Sequence, residues 1–422
     1  MAALTPRAAL LVALLALAAC EDRRRHPSAN GPYADLVAEN IPKIEQATGL
    51  KFKQVPKVEA RTRAEMHDFL IRTFQEQNRP DEVAREETAY KLFGLIPDTL
   101  KLQSFMVSLL TEQVAGLYDP HTKTLYIVKD APEDLVGVAV THELVHALQD
   151  QYVNLDSIEK FTGNSDRQSA GQAVAEGGAT YYGILVAVGR ENMATRMPGG
   201  LDQFRESIRE AQASMPLFSA APMAIQEALL FPYLSGFEFI RRAEQHGVAR
   251  TVFDSMPTSS EQILHEYAYF APKRDEPSDV VLPPSADSLG DETLGEFGTR
   301  LFLYQHLKNN TDAVSAAQGW DGDRYRVVRT PKGPGLLWVS VWDAPLEGAQ
   351  FVDALGQAVG KRYRTSAPSV SASGVRTYTG AGRRVVITPL EIAGRPVVMY
   401  VDVPDGTPTA LVSTSRIVVH AR

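Results

Sequence analysis

The segment Thr141–Asp150, T-H-E-L-V-H-A-L-Q-D, constrains this chain more than any other. On a helix, His142 and His146 stand one turn apart on the same face, so two imidazoles can bind a single metal ion. Glu143 lies beside them, where it can reach a water held by that ion. The surroundings predict such a helix. Pro132 followed by Glu133 and Asp134 is a start signal, with acids near the positive end of the helix dipole. The residues that follow are apolar on almost every side: Leu135, Val136, Val138, Ala139, Val140, Leu144, Val145, Ala147 and Leu148. A helix of that kind is buried. Its polar residues His142, His146, Gln149 and Asp150 fall at i, i+4, i+7 and i+8 along one stripe. Buried imidazoles need partners, because unpaired polar groups are costly. A metal supplies them, and Gln149 or Asp150 is placed to accept from a ligand imidazole N–H. Two core histidines satisfied without a metal are the plain alternative.

A catalytic zinc takes three protein ligands and leaves one position open. The extended pattern H-E-x-x-H-x-x-G-x-x-H is excluded, since Gln149 and Tyr152 occupy its later positions. Glu176 is the better candidate. It is the only charged residue between Arg167 and Arg190, in a small and apolar stretch that reads as a second buried helix. A lone carboxylate there is neutral, paired or on a metal. Gly177 and Gly178 cost helix propensity, which suggests close approach to a neighbour, with the motif helix as candidate. An arginine partner for Glu176 is the alternative, and Asp150, Asp156 and His121 are weaker third ligands.

The combination of H-E-x-x-H with a glutamate on a following helix resembles the zinc metallopeptidases called gluzincins. The resemblance implies a zincin-like core with Zn2+ held by His142, His146 and Glu176. Glu143 would take a proton from water at the metal and pass it to the leaving nitrogen. The residues before the motif, L-L-T-E-Q-V-A-G-L-Y-D-P-H-T-K-T-L-Y-I-V, read as a helix end and a hairpin turning at Asp119–Lys123. The resemblance implies an edge strand here that binds extended peptide by strand addition, a role expected of Leu125, Tyr126 and Ile127. Such enzymes also use a remote histidine or tyrosine to stabilise the oxyanion. His265 is the expected residue, with Glu261 one turn earlier to orient it, and Tyr181 or Tyr182 as alternatives. A structural histidine at a helix end is the other reading. The segments G-L-Y-D-P, H-A-L-Q-D-Q, P-T-S-S-E-Q-I-L-H and G-W-D-G-D-R-Y extend the likeness to envelope-associated bacterial members with long C-terminal extensions.

Residues 1–19 combine an early arginine with an apolar run and read as a secretory signal, too short to span a bilayer as a mature helix. L-A-A-C resembles a bacterial lipoprotein signal, which implies lipid on Cys20, the only cysteine in the chain. Residues 20–32 then form a polar tether. The expected location is the bacterial cell envelope, the outer membrane facing the periplasm rather than the inner one, because Glu21 and Asp22 do not cleanly meet the inner-membrane retention rule. A net charge of −8 argues against nucleic acid as a partner.

The expected fold class is α+β. A zincin-like domain at 33–271, mostly helical with a small edge-strand sheet, precedes a charged, proline-rich linker at 272–290 and an α+β domain with an antiparallel sheet at 291–422. Thr62 and Glu65 form a capping box, and Ser259 or Ser260 caps a later helix. Trp320, Asp321 and Asp323 read as a turn, and no chemistry is assigned to the C-terminal domain. The expected function is hydrolysis of peptide bonds in a peptide or protein substrate. Two alternatives remain open: an amidase on cell-wall peptide, and a catalytically silent binding or assembly lipoprotein.

Overall fold

Thr62 and Glu65 cap each other as the sequence predicts: Thr62 N–H donates to Glu65 Oε2 at 2.7 Å and Glu65 N–H to Thr62 Oγ1 at 3.2 Å. The computed structural model describes residues 32–422 except 78, 161–162, 190–205, 207, 209, 211–213 and 366. Its first elements are α1 (Ala34–Thr48), β1 (Lys57–Arg61), α2 (Arg63–Gln77), α3 (Pro80–Phe93), α4 (Leu102–Gln113), β2 (Gly116–Asp119) and β3 (Thr124–Val128). The hairpin β2–β3 forms at the expected turn, but β3 is not an edge. It lies between β1, parallel, and β2, antiparallel. Leu125 and Ile127 are fully buried, and Tyr126 lies under the Arg61 guanidinium. Both backbone edges of β3 are therefore taken, which corrects the expectation that Leu125, Tyr126 and Ile127 bind substrate by strand addition.

The motif helix, α5 (Glu133–Asp150), packs on α6 (Ser165–Val188), and α6 packs on α8 (Met223–Gln245), which follows the short α7 (Pro216–Ala220). Glycines set these distances. A Cβ on Gly236 of α8 would sit 2.0 Å from the Ala173 carbonyl oxygen, and one on Gly177 would sit 2.1 Å from Gly236. Gly177 thus approaches α8 rather than the motif helix. Gly178 meets the motif helix, where a Cβ would lie 2.6 Å from Gln149 Nε2. Two short helices follow, α9 (Ser260–Leu264) and α10 (Glu266–Phe270), and Ser259 caps the first by accepting from Gln262 N–H at 3.2 Å.

The chain is mixed α+β, as expected, with an antiparallel sheet in its C-terminal region. The stretch 272–290 is not a bare linker: β4 (Asp279–Val281) pairs with the last strand, β12 (Val418–His420), and β5 (Ser288–Glu292) opens the large sheet. The remaining elements are α11 (Gly295–Leu307), α12 (Asn310–Ala317), β6 (Trp320–Thr330), β7 (Gly333–Trp342), α13 (Pro345–Tyr363), β8 (Ser369–Val370), β9 (Arg376–Gly380), β10 (Arg383–Ile392) and β11 (Arg395–Pro404). The seven strands run in the order β5-β6-β7-β11-β10-β9-β8. Asp323 in G-W-D-G-D-R-Y accepts from the backbone N–H of Leu294 and Gly295, both at 2.9 Å, so this motif caps the start of α11.

Helix α3 joins the two regions. Phe93 packs edge-on against Phe302, Tyr325 and Trp338 at 5.9, 5.3 and 5.6 Å, inside one hydrophobic cluster that also contains the motif helix. The last carbonyls of α3 are capped from the C-terminal side: His306 Nε2 donates to Phe93 O at 2.8 Å and Arg362 Nη2 to Lys91 O at 3.2 Å. No helix among the described residues is long and apolar enough to cross a membrane.

Two outcomes test this packing. Gly236→Ala drives a methyl into backbone and should cost roughly 2–4 kcal/mol in chemical denaturation. Gly183→Ala on α6, whose Cβ would meet nothing within 4 Å, should instead gain about 0.5–1 kcal/mol. Equal effects from both would contradict the close contact. Burial pushes the His306 imidazole down from its ordinary 6.5 to about 4. Its neutral form then stabilises the fold above pH 6.5, and that contribution fades as pH falls from 6.5 toward 4. His306→Gln, which keeps a donor but cannot titrate, should remove on the order of 2 kcal/mol of this acid-dependent loss in pH-resolved melting. An unchanged acid limb would refute the assignment.

Candidate metal centre

The contact of α5 with α6 brings three side chains to one point. Glu176 Oε2 lies 3.1 Å from His142 Nε2 and 3.2 Å from His146 Nε2, and the two imidazole nitrogens lie 3.1 Å apart. Donors at about 2.0–2.1 Å from a single tetrahedral ion stand a little over ~3 Å apart, so this triangle has the right size for one metal. Two imidazoles and a carboxylate are a donor set that suits zinc. The histidine side chains are 9% and 8% exposed and that of Glu176 22%, so the triangle sits just below the surface, with the carboxylate on its open side.

The charges of the trio favour a cation. Burial pushes the His146 imidazole down, but the neighbouring Glu176 carboxylate outweighs it and lifts the group to about 9. Burial pushes Glu176 up, and the two imidazoles outweigh it, holding the carboxyl well below the usual range. At neutral pH the cluster of lone pairs thus holds a positive charge at its centre, which a proton or a metal ion can supply.

Gln149 fixes the orientation of His146. Its Nε2 donates to the Ala175 carbonyl at 3.1 Å, which turns Oε1 toward His146 Nδ1 at 2.9 Å. The Nδ1 proton is thereby assigned and Nε2 presents its lone pair to the centre. Asp150 does not share this task. Its Oδ2 accepts from Tyr118 Oη at 2.9 Å and Lys123 Nζ at 2.6 Å, and its Oδ1 from Leu155 N–H at 3.4 Å. The position one residue past Gln149 points to the β2–β3 hairpin, so Asp150 ties the hairpin to the motif helix. Burial and Asp150 push the Tyr118 phenol up, keeping it a donor. His121 and Asp156, the weaker third-ligand candidates, pair with each other at 3.4 Å.

Glu143 is fully buried beside the trio. Its Oε2 accepts from Tyr118 N–H at 2.7 Å, and among the described residues its Oε1 has no hydrogen-bond partner. That free oxygen faces no protein donor, an arrangement costly for a carboxylate unless water or substrate supplies one. Burial pushes its carboxyl above the ordinary value, against the pull of the two imidazoles. Gly116 makes room for it, since a Cβ there would lie 3.2 Å from Glu143 Cγ.

His265 is held by other partners. Its Nε2 bonds to Glu296 at 2.9 Å and its ring stacks on Tyr267, neither of which belongs to the trio. Its carboxylate partner is Glu296 of α11 rather than Glu261, whose backbone carbonyl accepts from His265 N–H at 2.8 Å. Tyr182 Oη donates to Glu244 at 2.7 Å, and the Tyr181 ring packs on Phe237 at 5.5 Å. The aromatic residue at the trio is Tyr233 of α8, whose ring stacks on His142 at 6.1 Å. Its sequence gave no signal, because it lies in an apolar helix with an internal Pro232. Cys20, expected to carry lipid, and the expected signal and tether up to residue 31 lie outside the described residues.

A family model described as a domain of unknown function (DUF8575) matches residues 283–405. The match covers β5 to β11 with the helices between them, begins inside the stretch expected to be a linker, and leaves out the motif helix and Glu176. No curated protein and no solved structure matches the chain.

Proposed function

We propose that this chain is a zinc-dependent metallopeptidase of the gluzincin kind, attached to the bacterial envelope through Cys20. One observation carries the reading: two imidazole nitrogens and a carboxylate oxygen converge within 3.2 Å of one another beside a buried glutamate with one free oxygen. His142, His146 and Glu176 hold the zinc. Bound there, zinc lowers the pKa of water and polarises a carbonyl. Glu143 supplies the proton transfers. Its Oε2 is anchored on Tyr118 N–H, which leaves Oε1 to accept a proton from the attacking water and deliver it to the leaving nitrogen. A carboxyl raised by burial is suited to both halves of that task. The lipid anchor rests on the signal-like sequence of residues 1–20.

Zinc content and casein cleavage by the chain lacking its signal test the roles separately. Wild type should hold about one zinc, Glu143→Gln should keep it and lose roughly 10²–10⁴ in kcat/KM, and Glu176→Ala should lose the metal. Wild type without metal, or cleavage that survives Glu143→Gln, would overturn the reading. Gln149→Ala should weaken zinc binding by roughly 10–100-fold with the fold intact, while Asp150→Asn should leave zinc affinity unchanged and loosen the β2–β3 hairpin in hydrogen exchange. A loss of zinc from Asp150→Asn equal to that from Gln149→Ala would contradict this division of roles.

A further inference from the structure

Away from the trio, three carboxylates meet from distant parts of the chain. Glu261 lies on α9, Asp275 after α10 and Asp343 between β7 and α13, and one oxygen from each lies within 4.8 Å of the others. Among the described residues, the side-chain oxygens of these three take part in no hydrogen bond or ion pair. Glu261 is 2% exposed. A buried carboxylate that points at two others and has no donor is a separate observation from the cluster itself, because such a group is normally paired or on a metal. The neighbouring basic side chains are already engaged: His265 is on Glu296 at 2.9 Å, and Arg395 is on Asp321 at 3.2 Å. Among the described residues no cation pairs with any of the three, and Arg395, held on Asp321, only partly offsets the charge at Asp343. Hydrogen bonds nevertheless fix the segments that carry them. Gln262 Nε2 donates to the Asp275 carbonyl at 2.7 Å, and Asp343 N–H donates to Gly319 O at 2.9 Å.

We propose that Glu261, Asp275 and Asp343 bind a hard divalent cation, calcium, which clamps the α9–α10 segment to the C-terminal sheet. The donor set is all oxygen, with no nitrogen or sulfur, which favours calcium or magnesium over zinc. Two oxygens on one calcium at about 2.3–2.6 Å can stand as far apart as this cluster spans. Magnesium requires a tighter octahedron, whereas calcium accepts irregular shells completed by water, and the exposed Asp343 gives water access. Burial and the surrounding acids push Glu261 up to about 10 and Asp343 up to about 6, in line with an uncompensated site. The proposal does not depend on the His142–His146–Glu176 centre.

The test uses the full chain as purified, dialysed against resin-treated buffer and titrated with calcium chloride by calorimetry and thermal unfolding. Wild type should bind about one calcium per chain and melt several degrees higher. Glu261→Gln and the more exposed Asp343→Asn should each lower calcium affinity at least ~10-fold and abolish the shift. Their melting temperatures without calcium should equal or exceed that of wild type, because Glu261→Gln keeps neutral a position where burial already favours the uncharged carboxyl, and Asp343→Asn removes a charge that faces other acids. Zinc content should be the same in all three proteins. No calcium binding by wild type, a shift that both variants retain, or tighter binding of magnesium than calcium would overturn the proposal.

Discussion

The packing of α5 on α6 decides what the centre of this molecule can do. Only there do His142, His146 and Glu176 approach to about hydrogen-bond distance. The contact depends in turn on the absence of side chains. Gly178 lets Gln149 lie against α6, where its amide bonds the Ala175 carbonyl and turns its oxygen to His146. Gly177 and Gly236 let α8 lie against the other side of α6, bringing Tyr233 onto His142. Each glycine sacrifices helix propensity, and what it gains is a fixed position for a donor atom.

The hairpin supplies the other half of the site. Asp150 binds Tyr118 and Lys123, and Glu143 binds the Tyr118 N–H, so β2 and the motif helix are fastened at two points. One oxygen of Glu143 is held by this arrangement and the other is free. The C-terminal sheet is not an independent appendage to this core. Helix α3 inserts Phe93 among Phe302, Tyr325 and Trp338, and its final carbonyls are capped from α11 and α13. The family match over 283–405 therefore covers part of a continuous hydrophobic core.

Much of this was legible in the sequence, and the failures share a cause. The spacing of His142 and His146 places them on one helical face whatever surrounds them. Glu176 stood out as the lone charge of an apolar helix, and the Thr62–Glu65 box is a local hydrogen-bonding unit. Local rules carry all of these. Asp150 continued the polar stripe, yet its partners come from the hairpin, which no helical period encodes. β3 resembled an edge because its parallel neighbour β1 lies far earlier in the chain. Residues 272–290 looked like a linker because β4 pairs with the C-terminal β12. His265 was assigned Glu261 by helical spacing, while its carboxylate partner is Glu296. The meeting of Glu261, Asp275 and Asp343 is likewise tertiary and has no sequence signature.

The central claim is that one metal ion sits on the His142–His146–Glu176 triangle. Zinc-edge X-ray absorption on the purified chain tests it most directly. The expected result is a first shell of nitrogen and oxygen at about 2.0–2.1 Å, with outer-shell scattering from two imidazoles. The imidazole signal should disappear from His142→Ala/His146→Ala protein. A first shell without imidazole, or a spectrum unchanged by those substitutions, would contradict the claim.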